Sequence, residues 1–428
     1  MIISGKPFFR VALLSLAVSS SVHAANATWN GTTNGTWSTA GNWSASPVPG
    51  TGNTATFNNA GNSNTTITTG SITVSTILFD TANAAVYTLG GATAGTGTIA
   101  LNNSGAINVN NSVINNQLVN ANVVLGTSSV TAGYSFTNNS PITGPLLTIA
   151  GSVSSGTSNS VSVKTLTLGG SGNGLVSGII SGNGSGSGSN RTAVVELIKS
   201  GTGVWGLSGA NIYSGQTTVT QGTLLANNLS GSATGIGAVS VGVDGTLGGT
   251  GTIAPTGGNG INVSGVLAPG ASVGTGNLTL NLGGTTGTVT MSSGSSFEYL
   301  LGVAGADINA VGVSDLLTLA GAVANDFAFS GNIIDFQSSG SVGFYKIFDT
   351  SANLASTWTG LTVNGTGLIT GGLSASNLAT GLSGNLIMGG GTLGGTSGDI
   401  YLQVIPEPSS AVLGGIGMLF LLRRRRNG

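Results

Sequence analysis

The chain of 428 residues has no cysteine, one histidine, and only ten Lys+Arg and eleven Asp+Glu. Each shortage excludes a class of chemistry. Without thiols there are no disulfides and no thiolate nucleophiles, so backbone ladders and side-chain packing must hold the fold. The single imidazole, His23, lies in a stretch that reads as an export leader. Once that leader is removed, Ser-His-Asp and Cys-His catalysis are excluded, as are zinc sites built on His or Cys. No cofactor is expected, and the chain does not read as an enzyme. Charged residues make up 5% of the sequence, against about 25% in an ordinary globular protein. Six of the ten bases sit at the two ends: Lys6, Arg10, Arg423, Arg424, Arg425 and Arg426. Between the ends remain Lys164, Arg191, Lys199 and Lys346 against ten acids, a net charge of −6. Phosphate neutralisation needs bases, so a nucleic-acid partner is excluded. Outside the ends, no long window carries a helical stripe of apolar side chains.

What is abundant is glycine, with 76 residues, alongside Ser, Thr, Asn and 39% hydrophobic residues. That apolar fraction is too high for disorder driven by charge and low hydrophobicity, and no Gly-X-Y period marks a collagen. Short alternations recur, as in Ser71–Phe79, Val161–Leu168 and Asn277–Leu282. A period of two with β-branched residues predicts half-buried strands. Gly95-Thr96-Gly97-Thr98-Ile99 returns as Gly249-Thr250-Gly251-Thr252-Ile253, and Leu-Gly-Gly recurs at Leu89, Leu168, Leu247, Leu282 and Leu393. Repeated strand-plus-turn units too small to bury their own apolar face must stack on neighbours. The expected fold is therefore all-β, a right-handed parallel β-helix (β-solenoid), with short helical segments only at the two ends. At roughly 20–25 residues per rung, it would have about 15–19 rungs and a length on the order of 70–90 Å at the spacing of paired strands.

The ends read as addresses. Lys6 and Arg10 precede the apolar run Val11–Val18 and the small-residue site at Ala24, the layout of a cleaved secretory signal over residues 1–24. A solenoid region follows over 25–180, then a flexible Gly/Ser loop over 181–190 and a second solenoid region over 191–404. At 405–428 the chain reads Pro406-Glu407-Pro408, an apolar helix over 411–422, and the arginine block. Twelve apolar residues span about 18 Å as a helix, short of the roughly 30 Å hydrocarbon layer. The segment is thus a transient membrane stop, with the arginines held on the cytoplasmic side.

This tail closely resembles the PEP-CTERM sorting signal, whose three parts are a Pro-Glu-Pro motif, one apolar helix and a terminal basic cluster. The resemblance implies recognition of Pro406, Glu407 and Pro408 by an exosortase. It implies removal of the tail and delivery to the cell surface or the extracellular polymer matrix, with a link to exopolysaccharide or biofilm. A second resemblance covers residues 196–228. The order Lys199-Ser200-Gly201-Thr202-Gly203, Leu207-Ser208-Gly209, Asn211-Ile212-Tyr213-Ser214-Gly215, Thr218-Val219 and Gly222-Thr223-Leu224 is similar to the autotransporter-associated β-strand repeat. In that reading Gly201 and Gly203 relax the entry into a strand, Tyr213 covers the rung end and Gly215 turns the next corner. The sequence after the repeat has no room for a C-terminal barrel of amphipathic strands, so self-secretion is not expected.

Two clusters remain. Trp29, Trp37 and Trp43 either cap the open end of the stack or stack on sugars. Glu298, Asp307, Asp315, Asp326, Asp335 and Asp349 are spaced too widely for a motif. They read as solvated turn residues, as a calcium site or as the carboxylates of a polysaccharide hydrolase or lyase, the last needing a base such as Lys346 in the same groove.

Overall fold

The computed structural model describes residues 25–407, apart from the internal segments 127–129, 142–143, 157–161, 183–192, 271–274, 284–286, 306–310, 312–313, 321–326, 338–340, 351–357 and 391–393. The signal at 1–24, most of the loop at 181–190, Asp307, Asp326, Pro408, the helix at 411–422 and the four terminal arginines lie outside the described residues. Among the described residues only two short 3-10 turns are helical, Ala40–Asn42 and Asn59–Gly61, and no helix is long and apolar enough to cross a membrane.

The rest is mainly a parallel β-solenoid, as the repeated strand-plus-turn units predict. Strands pair parallel and in register through three ladders running along the stack. The first ladder sets Ala27 under Ala55, then Ile77, Ile107, Phe136, Leu168, Lys199, Val219, Val241, Val263 and Met291. All eleven side chains are buried. The second carries the column Trp205, Leu224, Leu247, Leu267, Phe297 and Ile334. The third carries Ile72, Ile99, Val123, Val153 and Ile180, and resumes with Ile253, Leu280 and Leu319. Side chains one residue away point outward, because the strand period is two. On the first ladder these outward positions are Thr54, Thr76, Ala106, Ser135, Thr167, Ile198, Thr218, Ser240, Asn262, Thr290 and Ala328. The sequence therefore sorts apolar residues to the core and sets mainly hydroxyl or amide residues outside, with Ala106, Ile198 and Ala328 as the apolar members of this outer column.

The stack is shorter than rung length alone suggested. Along the first ladder, successive levels are separated by 20 residues (Leu197 to Thr217) to 38 residues (Val289 to Phe327). From Ala27 to Trp358 this gives thirteen levels, or roughly 60 Å at about 4.8 Å per level. Corner loops absorb the difference, since a loop can lengthen at little cost in closure entropy. Strands on either side of residues 183–192 pair directly, Ser162–Gly169 with Ala193–Lys199, so the stack runs continuously past that segment.

Both ends are plugged with aromatic rings. At the first, Trp29, Trp37 and Trp43 pack on Phe57, which meets Phe79 and Tyr87. At the last, Phe297, Phe327, Phe329, Phe348 and Trp358 cluster with centroids 4.9–6.4 Å apart. The sheet edge there is also covered. Gly343–Thr350 pairs antiparallel with Ile400–Pro406, which pairs antiparallel with Leu382–Met388. The third ladder thus ends on two antiparallel strands, with Leu382–Met388 outermost.

Candidate functional site

From Leu197 to its register partner Thr217 the chain makes one turn of the stack, so residues 196–228 cover one rung and the strand Thr217–Ala226 of the next. Lys199 ends the strand Ala193–Lys199 at an inward position, in line with Val195 and Leu197, and is fully buried. Its Nζ donates to the carbonyls of Ser200 (2.9 Å), Gly201 (2.7 Å) and Gln221 (3.0 Å). One ammonium thus ties its own corner to the corner of the next rung. Burial lowers its pKa to about 8, yet at neutral pH it keeps the charge and all three protons for these carbonyls. Lys164 is also buried and pushed down by burial, and it donates to the Val130 carbonyl. Two of the interior bases are therefore internal staples.

Asn211 and Tyr213 extend the same device. Asn211 Oδ1 accepts from the Ile180 amide of the preceding rung (2.7 Å), while its Nδ2 donates to the Ala233 carbonyl of the following one (2.5 Å). This side chain bridges the third ladder where the strands pause between Ile180–Ser181 and Thr252–Ile253. Tyr213 does not cover the rung end. It points inward, fully buried, and its hydroxyl donates to Thr217 Oγ1 at 2.6 Å, which in turn donates to the Thr234 carbonyl at 3.1 Å. Burial holds its phenol well above the ordinary value. The glycines answer to close approach between rungs. A Cβ on Gly203 would lie 2.0 Å from the Gly172 carbonyl, and one on Gly215 would lie 2.3 Å from that of Val195. Gly201, at φ +68°, also takes the left-handed turn.

Of the two readings of Trp29, Trp37 and Trp43, the geometry is that of the end cap and not of a glycan platform. They are 0%, 1% and 5% exposed, and their rings meet edge-on, Trp29 to Trp43 at 5.1 Å and Trp37 to Trp43 at 4.7 Å. Each indole N–H is used internally, on the Asn64, Pro49 and Trp37 carbonyls. No ring face is left for a sugar.

The described acids of the 298–349 stretch fall in three places. Asp315 is 4% exposed, and its two oxygens accept from the Gly276 amide (2.9 Å) and the Leu300 amide (2.6 Å), clamping two corners. Burial raises its pKa to about 6 against these two bonds. Glu298 and Asp335 lie opposite each other on neighbouring rungs; burial first, then Asp335, raises Glu298. Asp349 shares Lys346 with Asp399, a carboxylate outside that stretch. Lys346 Nζ lies 2.7 Å from Asp399 and 3.3 Å from Asp349. Asp399, fully buried, also accepts from the Thr350 amide at 2.9 Å. Burial opposes the charge on Lys346, but Asp399 and then Asp349 outweigh it, and its pKa lies above the ordinary value. So the lysine meets its carboxylates inside the closing sheet, where the pair ties Gly343–Thr350 to the chain entering Ile400–Pro406. It does not meet Glu298 or Asp315. Among the described residues no three acids gather as metal ligands do.

Asp315 gives a pH prediction. Its pKa is higher folded than unfolded, so the folded protein binds this proton more tightly. The group's stabilising contribution is absent near pH 7, appears as pH falls through 6, and is complete below the ordinary carboxylate range. Relative to Asp315→Asn, the native chain should gain on the order of 2–3 kcal/mol between pH 7 and pH 4, read from denaturant unfolding of both at each pH. A gap that stays constant or narrows contradicts this.

Of the sorting motif, Pro406 ends the strand Ile400–Pro406 opposite Leu382, and the Glu407 amide donates to the Gly381 carbonyl at 2.8 Å. Both side chains are exposed. The motif thus leaves the folded body without a linker.

Residues 197–226 match the family model of the passenger-associated-transport-repeat. The match spans the rung held by Lys199, Asn211 and Tyr213, so the residues that mark the repeat in sequence are those that staple one rung to its neighbours. No curated protein is similar enough to the chain to match it. A passenger-type repeat thus lies within a parallel solenoid.

Proposed function

We propose that the protein is an exported structural or adhesive rod of the cell surface or extracellular matrix, working through its shape and outer face rather than by catalysis. The observation that carries this reading is the passenger-type repeat built into a parallel stack whose first outward column is mainly Thr, Ser and Asn. Two further features support it. The described lysines are each bonded within the fold, and Asp315 and Asp399, the most buried carboxylates, are spent on backbone amides. In this reading the leader at 1–24 exports the chain. The tail at 411–428 inserts transiently in the membrane, and an exosortase-type enzyme removes it after recognising Pro406, Glu407 and Pro408. The mature rod then associates with exopolysaccharide or biofilm.

Mass spectrometry of the mature protein from its host tests the processing. The expected C-terminus lies at or beyond Glu407, because Ile400, Tyr401, Leu402 and Val404 are buried in the closing sheet and a cut before them would uncover it. An intact tail would refute sorting.

A further inference from the structure

The outer face of the second ladder is not uniform. Over five levels it forms a groove of about 320 Å³, within the range of roughly 300–1,000 Å³ typical of small-ligand sites. Its floor has two outward columns. One holds Thr223 and Thr246, which are register partners. The other runs from Leu225 past the side-chain-free Gly248 to Ala268 and on to Glu298. Leu300 and Gln337 rise at the corner beside them. Three properties of this groove select an occupant.

First, its lining holds carboxylates and no base, and the described lysines are all held elsewhere. An anionic polymer would meet Glu298, Asp315 and, one rung on, Asp335 with nothing to offset their charge. Second, the floor is the face of a sheet, not its edge. The backbone groups below it are used in the ladders, so a peptide has no edge to extend as an added strand. Recognition must come from side chains alone. Third, those side chains alternate hydroxyl, amide and carboxylate with exposed aliphatic surface, which suits a ligand with hydroxyl groups on its rim and C–H groups on its faces. Among the described acids of the 298–349 stretch, Asp315, Asp335 and Asp349 bond to internal partners. Glu298 makes no side-chain hydrogen bond to a described residue, though it is half-buried in the groove.

We infer that the groove between Thr223 and Gln337 is a binding site for a neutral glycan strand, with the Glu298 carboxylate and the Gln337 side-chain carbonyl oxygen accepting from sugar hydroxyls while Gln337 Nε2 stays on Asp335 at 3.1 Å, and with Leu225, Ala268 and Leu300 packing on ring faces. It binds without cleaving: Asp315, the second carboxylate at the groove, is fixed by two backbone amides and cannot turn toward a bound bond. The burial that raises Glu298 strengthens a hydrogen bond from a hydroxyl by keeping water away. The inference rests on the matrix-associated reading for its biological setting, but its test is independent of tail processing.

The test applies the full-length chain to an array of neutral hexasaccharides of glucose, mannose and galactose, with hexagalacturonate as the anionic counterpart, followed by calorimetric titration of any binder. The expected result is binding of a neutral hexasaccharide and none of hexagalacturonate. Gln337→Ala and Glu298→Ala should each weaken it about tenfold or more with an unchanged melting temperature. Thr290→Ala, on the first ladder's outer face, should leave it as it was. Gln337 is exposed, so its variant folds even if Glu298→Ala does not. Absence of binding to every neutral sugar, equal binding of hexagalacturonate, or binding untouched by Gln337→Ala would overturn the inference. A protein that is processed yet binds no glycan fails only here; one that binds but keeps its tail fails only the sorting proposal.

Discussion

Trp205→Ala should lower the stability of the central rungs by about 3–5 kcal/mol, the usual cost of emptying a large buried aromatic site. Trp205 is fully buried, and its indole N–H donates to the Gly169 carbonyl at 3.1 Å. The level below offers nothing to fill the space, because its partner is Gly174 and a Cβ there would lie only 2.6 Å from the Trp205 ring. The level above presents Leu224, anchored in its own ladder. The site therefore cannot collapse, which places the loss at the upper end for its chemistry. In a stack each rung touches only its neighbours, so the damage should stay local. Hydrogen exchange should accelerate in Asn173–Val176, Val204–Leu207 and Thr217–Ala226 while the strand Thr98–Val109 keeps its protection. Uniform acceleration along the whole chain would mean that the rungs do not act as nearest-neighbour units.

The same rung marks where the sequence could and could not be read. Alternation in Ala193–Lys199 made the strand and its inward face legible, because Val195 and Leu197 declare the parity. Lys199 continues that parity, yet its charge argues for solvent. Only the neighbouring corners, with three carbonyls converging on one point, reverse the usual preference against burying an ammonium. Asn211 and Thr217 were opaque for the same reason: their partners Ile180, Ala233 and Thr234 lie 17 to 31 residues away. The tryptophans near the N-terminus suit both a cap and a sugar platform, and the choice was made by Phe57 on the next level. The antiparallel closure by Leu382–Met388 and Ile400–Pro406 could not be foreseen, since a period of two is the same for either strand direction. Rung count was misjudged because corner loops of very different length join strands that all occupy one level.

The groove had a faint trace in the sequence. Glu298 stands out as an acid between Phe297 and Tyr299, two inward aromatics, so its outward direction was legible. Its companions Thr223, Leu225 and Gln337 come from levels up to 114 residues apart in the chain. No local pattern joins them; only the stacking register does.

Everything in this account depends on that register, and the absence of cysteine makes it directly measurable. Ser240 and Asn262 are outward-facing partners on adjacent parallel levels, and Thr218 lies one level below Ser240. Adjacent levels are about 4.8 Å apart, within the Cα separation of roughly 4.4–6.8 Å that a disulfide accepts. Two levels are not. The double variant Ser240→Cys/Asn262→Cys should close an intramolecular disulfide on mild oxidation nearly to completion, seen as the loss of two free thiols. Thr218→Cys/Asn262→Cys should stay reduced under the same conditions. Failure of the first pair to close, or equal closure of the second, would show that the chain is not stacked in these parallel levels.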